Sequence, residues 1–328
     1  MHSILRPRHM INTGGNLMPL TLRDKVFSDD EPVVVSICCI TYNHGRFITE
    51  CIEGFLDQEC DFRVEIIIHD DASTDGTAQI VKEYADRHPT IIRAILQGSN
   101  QYSKAVNPYY AYVFPAARGK YIAICDGDDY WSDPAKLARQ ANVLDENPEV
   151  VITYGPVKAW TASGETKSYR GGAKRDLSSQ ELKDARPINT LTACFRNIFQ
   201  GSDPPIFLRN SPIGDLTVWG ILGYHGTGRY LADMPPANYR IHDGGILSMV
   251  TRNKQLMMTA LAQLNIAAYH SEKNDIEATK RSLWRLMDFI NKTEVVELID
   301  IDPNRISLTS MLRLWNKHRK RRRRTKKA

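Results

Sequence analysis

The 328-residue chain has no apolar run approaching the roughly 18–20 residues that a membrane-spanning helix requires, so no helical membrane span is expected. Arg6 and Arg8 stand in the first twenty residues, but no continuous apolar stretch follows them, and a secretory signal is not expected. The six cysteines (Cys38, Cys39, Cys51, Cys60, Cys125 and Cys194) contain no CxxC pair and mostly sit in apolar runs. They read as buried free thiols of a reducing compartment. No internal repeat is found. These absences together point to a soluble, cytosolic protein. With 42% hydrophobic and 25% charged residues, it can bury a sizeable core.

Basic charge is also scarce in the body of the chain, despite a formal net charge of +5. Nine of the 43 Lys and Arg residues fall in residues 317–328, which leaves 34 basic against 38 acidic residues elsewhere, a balance of −4. A nucleic-acid enzyme spreads its basic residues over a folded face. Nucleic acid is therefore disfavoured as a partner.

A regular alternation starts after a loose, non-periodic leader over residues 1–30. Residues 33–40 (VVVSICCI) form a continuous apolar run, the pattern of a strand covered on both faces. Residues 46–57 repeat apolar positions at helical spacing, 64–69 read as a strand, and 77–87 as an amphipathic helix. Further strands are expected at 91–96, 120–125 and 150–154, and a helix beginning with Pro134 runs to 146. Strand–helix–strand repeated in this way predicts an α/β fold with an open, mostly parallel sheet whose ligands gather at the carboxyl ends of the strands. Beyond 155 the pattern loosens. A helix is expected at 216–224, an edge strand at 237–241, and two or three helices over 251–299.

The acidic clusters sit where that topology collects ligands. The second strand runs into Asp70-Asp71 and Ser73-Thr74-Asp75-Gly76, and the fourth into Asp126-Gly127-Asp128-Asp129. Paired carboxylates at a strand end accept hydrogen bonds from a base N–H or a ribose hydroxyl. Asp75 fits an N-cap of the next helix. Three carboxylates within four residues repel one another unless a cation compensates, and hard oxygen ligands suit Mg²⁺ or Mn²⁺ bound together with phosphates. Gly127 leaves space for a ligand to approach the backbone. Trp131 and Trp160 are candidates to stack on an acceptor sugar, and Arg240 is a candidate phosphate neighbour.

The runs VSICCITYNHGRFITECIEGFLDQ, VEIIIHDDASTDGT and GKYIAICDGDDYWSDPAKL, in that order, resemble family 2 glycosyltransferases of the GT-A fold, with a weaker match continuing to about Gly245. The resemblance implies a Rossmann-like, mostly parallel central sheet flanked by helices, with a helical C-terminal extension. It divides the chain into a leader (1–30) and a glycosyltransferase domain (31–245), itself split into a nucleotide-sugar half (31–130) and an acceptor half (131–245). A helical region (246–304) and an amphipathic segment with the basic tail (305–328) follow. It implies donor contacts at Tyr42, Asn43, Asp71, Asp126 and Gly127, with Asp71 on the base. Asp126 and Asp128 would serve the metal, with His242 as a further metal ligand or diphosphate contact. Asp215 matches the catalytic base, and residues 189–197 the acceptor side, where Thr190 and Thr192 would meet a glycan.

The expected activity is metal-dependent, inverting transfer from a nucleotide-sugar, UDP- or dTDP-linked, to a hydroxyl of a glycan or lipid-linked glycan. The expected place of action is the cytoplasm or the inner face of the plasma membrane. Three other classes are weighed against it. A nucleotidyltransferase of similar fold carries a Gly-rich basic loop after the first strand, unlike Thr41-Tyr42-Asn43-His44-Gly45-Arg46. A phosphoacceptor domain explains Asp70-Asp71 but not the later cluster. A non-catalytic sugar-nucleotide-binding relative binds without transfer. The basic tail admits a solubilising role, docking to anionic lipid headgroups at about 1 kcal/mol per residue, or a nuclear-type signal.

Overall fold

The structure is a computed structural model that describes residues 10–13, 16–28, 30–169, 171–200, 204, 206–245 and 250–293. The amphipathic segment and basic tail lie outside the described residues.

The chain opens with a β-hairpin, β1 (Met10–Thr13) and β2 (Asn16–Pro19). The stretch expected to be a loose leader is thus partly structured. Leu22 is fully buried, and Arg23 forms ion pairs with Glu53 and Asp57 on the first helix. The alternating unit follows as β3 (Val33–Thr41), α1 (Ile48–Leu56), β4 (Arg63–Asp70), α2 (Thr77–Arg87) and β5 (Ile92–Leu96). A π-helical turn over Tyr109–Val113 leads into the single turn α3 (Phe114–Ala116), then β6 (Tyr121–Ile124), α4 (Lys136–Glu146) and β7 (Val150–Tyr154). Then come β8 (Val157–Thr161), β9 (Gly164–Thr166), α5 (Ser179–Lys183), β10 (Cys194–Arg196), α6 (Ile206–Arg209), α7 (Gly214–Leu222), β11 (Thr227–Tyr230) and β12 (Ala237–Arg240). Helices α8 (Arg252–Glu272) and α9 (Ile276–Lys292) complete the described chain.

The main sheet has seven strands in the order β11-β7-β10-β6-β3-β4-β5. Neighbouring strands are parallel except at β10, which lies antiparallel between β6 and β7. Both faces are covered, which is why β3 is apolar almost throughout and β4 carries the apolar run Ile66-Ile67-Ile68 at its centre. Ile37 and Cys39 enter one core and Cys38 the other, as alternation along a strand requires. Trp219 on α7 and Tyr269 on α8 pack into the second core, so the helical extension is continuous with the domain.

The edge strand expected at 237–241 does not join the main sheet. As β12 it pairs with β8 in a separate three-stranded sheet, and bridges back to Tyr130 through Asn238. This crossing carries residues 240–242 to the end of β6, more than a hundred positions earlier in the chain. Among the described residues, no helix is long and apolar enough to cross a membrane.

Candidate active site

Three strand ends and two later segments meet at the carboxyl edge of the sheet. The turn after β3 is fastened to the turn after β4. The Asn43 N–H donates to Ser73 Oγ (2.8 Å), the Thr74 N–H donates to Asn43 Oδ1 (2.8 Å), and the Gly45 N–H donates to Asp75 Oδ2 (2.8 Å). Asn43 takes a left-handed φ of 55°, which asparagine tolerates better than most residues. Asp75 thus ties two loops together and accepts from Thr77, while Gly76 occupies the N-cap position expected of it. Tyr42 stands 45% exposed beside this clasp.

Asp71 is buried, and its carboxylate is pinned by the amides of Gln101 (2.7 Å) and Tyr102 (3.0 Å) in the loop after β5. Each oxygen retains a second lone pair, so the group can still accept from a ligand.

The acidic cluster after β6 separates into three environments. Asp126 is pushed up to about 7 by burial and by the charge of Asp128, while the Tyr109 hydroxyl donates to it (2.6 Å) and works the other way. Tyr109 comes from the π-helical turn, a device that re-aims side chains near functional sites. Burial would raise Asp128 too. The His242 hydrogen bond and the His44 and His242 rings outweigh burial there, and it lies below the usual carboxylate range. Asp128 Oδ2 sits 3.0 Å from His242 Nε2 and 3.7 Å from His44 Nε2. Asp129 is buried and raised by burial and by Asp128, and accepts the Arg240 N–H at 2.8 Å.

His44, Asp128 and His242 each offer a ligand atom, all within 4.8 Å of one another, which fits one divalent cation. Asp126 is not brought into that trio. His44 was missed by sequence reasoning, because a single histidine in a turn carries no pattern. Arg240 is a brace rather than a free phosphate contact: its guanidinium donates to the Asp128 carbonyl (2.8 Å), pairs with Glu50 and lies over the Tyr130 ring (4.3 Å).

Asp215 lies in the first turn of α7 and is partly buried. Its Oδ2 accepts from Thr190 Oγ1 (2.6 Å) and its Oδ1 from the Leu216 N–H (2.7 Å). Burial raises it above the usual carboxylate range against the pull of both bonds, and its charge is felt at Asp126.

Three expected site residues belong to the core instead. Trp131 is only 3% exposed; its indole N–H donates to the Leu191 carbonyl (2.7 Å), and its ring packs on Phe55 and under the Lys136 ammonium. No face is left for a sugar. Thr192 is fully buried, with its hydroxyl on the Asn189 carbonyl and its own carbonyl accepting from Gln140. Gly127 is small because Thr41 and Ile48 fill the space: an added Cβ would lie 2.7 Å from Thr41 Oγ1 and 2.9 Å from Ile48 Cδ1. Trp160 is partly exposed and donates to Asn238 Oδ1 (2.9 Å).

This geometry has relatives. The model of the family described as glycosyl transferase family 2 matches residues 36–201. An uncharacterised protein of Mycobacterium tuberculosis is 36% identical over 276 residues, covering 79% of this chain and 75% of that protein. The Escherichia coli UDP-Glc:alpha-D-GlcNAc-diphosphoundecaprenol beta-1,3-glucosyltransferase WfaP is 33% identical over 121 residues, 37% of this chain and 45% of that one. Among solved structures, Staphylococcus aureus TarS residues 1–349 in complex with UDP-GlcNAc aligns with a TM-score of 0.55 at 17% identity, over 81% of this chain and 77% of that chain. That likeness speaks for the fold alone. The family match across half the chain, carried on a GT-A sheet with its acids at the strand ends, makes this protein a member of glycosyltransferase family 2 and an enzyme of glycosyl transfer.

Proposed function

We propose that the enzyme moves a sugar from a UDP- or dTDP-linked donor to a hydroxyl of a glycan or lipid-linked glycan, with a divalent metal and inversion at the anomeric carbon. The observation that carries this reading is the separation of two kinds of carboxylate. Asp128 is kept ionised among two imidazoles, whereas Asp215 stands apart from them, partly buried and with a raised proton affinity.

Asp128 and His242, with Asp126 beside them, would hold Mg²⁺ or Mn²⁺, and a bound cation neutralises the charge that accumulates on the departing diphosphate. Asp215 receives the acceptor proton as the acceptor oxygen bonds the anomeric carbon and the bond to the diphosphate oxygen breaks. A raised proton affinity makes a carboxylate a better proton acceptor, which suits general-base catalysis. Asp71 would take the base N–H on its remaining lone pairs, with Tyr42 and Asn43 lining the nucleotide. Residues 31–130 would thus serve the donor and 131–245 the acceptor. The names of relatives fit this chemistry: the E. coli enzyme takes UDP-Glc to an undecaprenol-linked acceptor, and a Bacillus subtilis relative, 30% identical over 177 residues, is a minor teichoic acid biosynthesis protein. Action at the cytoplasmic face of a membrane, with residues 317–328 on anionic lipid, accords with such an acceptor.

The test is a screen of nucleotide-sugars for Mn²⁺- or Mg²⁺-dependent hydrolysis. One UDP- or dTDP-sugar is expected to be hydrolysed, with loss of activity on chelation and in Asp128→Ala. Hydrolysis indifferent to both would overturn the metal-dependent reading.

A further inference from the structure

We infer that His44 is a third protein ligand to the metal, and that the resulting set of two imidazoles and one carboxylate makes this enzyme select Mn²⁺ over Mg²⁺. The inference rests on the metal-dependent reading above and adds to it a ligand from the donor loop. It begins with the position of the ring. His44 Nε2 lies 3.7 Å from Asp128 Oδ2, on the same oxygen that His242 Nε2 approaches at 3.0 Å. A cation about 2.1 Å from each ligand needs donor atoms separated by about 3–4 Å; both rings stand at that distance from Asp128 Oδ2, and all three groups offer atoms within 4.8 Å of one another.

The His44 ring is not fixed in this position by hydrogen bonding. Its Nδ1 is buried and has no hydrogen-bond partner, so no structural hydrogen bond holds it there. The ring meets His242 edge-on, with centroids 5.9 Å apart, so the two imidazoles approach the same Asp128 oxygen from adjacent positions. Ligation by His242 through Nε2 moves its proton to Nδ1 and forfeits the Gly244 N–H contact there (3.1 Å).

The donor set decides the ion. Mg²⁺ prefers oxygen ligands and retains its waters, whereas imidazole nitrogen favours transition metals. The backbone decides the coupling. His44 belongs to the turn clasped to residues 73–75, so a metal held by it ties the donor loop to the end of β6.

The experiment uses the full chain without nucleotide. Mn²⁺ is titrated by the loss of its free-ion paramagnetic resonance signal, and Mg²⁺ by competition against it. Wild type is expected to bind Mn²⁺ about tenfold or more tighter than Mg²⁺, and His44→Ala to weaken Mn²⁺ about tenfold while Mg²⁺ changes far less. Spin-echo modulation of bound Mn²⁺ should show two imidazole nitrogens in wild type and one in the variant. His44→Gln, which keeps bulk and polarity, must behave like His44→Ala, so that a packing defect is separated from a lost ligand. Wild-type Mn²⁺ affinity and two nitrogens in His44→Ala would overturn the inference alone, provided that Asp128→Ala still loses the metal. Absence of metal binding in wild type, with or without uridine diphosphate, would overturn the metal-dependent reading as well.

Discussion

In the region proposed for the donor, Asn43, Asp71 and Asp126 each stand one or two residues beyond the strand that carries them, at the ends of β3, β4 and β6. In the region proposed for the acceptor, Asp215 and Thr190 come from segments far from those strands, while β12 carries Arg240 and His242 across to Asp128. The donor side is therefore rigid and locally encoded, set by neighbouring parallel strands. The acceptor side is an assembly, in which each chemical group depends on a partner far along the chain. A substitution on the first side should act on binding of nucleotide or metal. One on the second should act on the transfer step while leaving the donor in place.

Asp215→Asn is the sharpest test of that division. Transfer is expected to fall about 10²- to 10⁴-fold, the usual worth of a general base, with the donor dissociation constant unchanged. Wild-type turnover in this variant would dissolve the distinction between the two sides. Trp131→Ala comes next. Because the ring is buried against Phe55 and Lys136, the change should cost about 3–5 kcal/mol in denaturant unfolding. A stable variant with a raised acceptor KM would instead return Trp131 to the cleft.

Asp128→Ala should weaken Mn²⁺-dependent affinity for uridine diphosphate about 10- to 100-fold, measured by calorimetry, with little effect on the nucleotide alone. Unaltered affinity would remove the cluster from the metal. The smallest effect is expected from Thr190→Val. Its hydroxyl donates to the Asp215 carboxylate and stabilises the charged form, so its loss raises the proton affinity of Asp215. The acid limb of the kcat/KM profile should then move to higher pH, with the donor KM unmoved. A shift in the opposite direction, or none, would mean that Thr190 does not position the base.

The strands β3, β6 and β7, and the Ile66-Ile67-Ile68 run of β4, were legible because a strand covered on both faces is largely apolar, and that pattern is local. β10 was not: its three residues are too few to show a period, and its antiparallel place between β6 and β7 has no local signature. The β1–β2 hairpin was missed because its polar and apolar residues show no alternation, while Leu22 and Arg23 attach the stretch that follows it to the domain through contacts with α1 and its surroundings. In the site, the carboxylates at strand ends were visible as clusters of like charge. The direction in which a side chain points was not visible. Trp131 and Thr192 look like acceptor contacts beside loops, yet the indole finds the Leu191 carbonyl and the threonine hydroxyl the Asn189 carbonyl.

From the sequence alone came an α/β sheet with acids at its carboxyl edge, because burial on both faces and charge crowding are properties of short windows. Only the tertiary structure decided what each acid does. Asp126, Asp128 and Asp129 are near-identical in sequence, but they are distinguished by a tyrosine from a π-helical turn, two histidines and an arginine backbone amide. Of these, His242 stands 114 positions from Asp128, and the pairing exists only because β12 crosses to Tyr130 in a second sheet. Proton affinity and metal choice follow from such distant neighbours, since burial and Coulomb interaction depend on distance in space rather than along the chain.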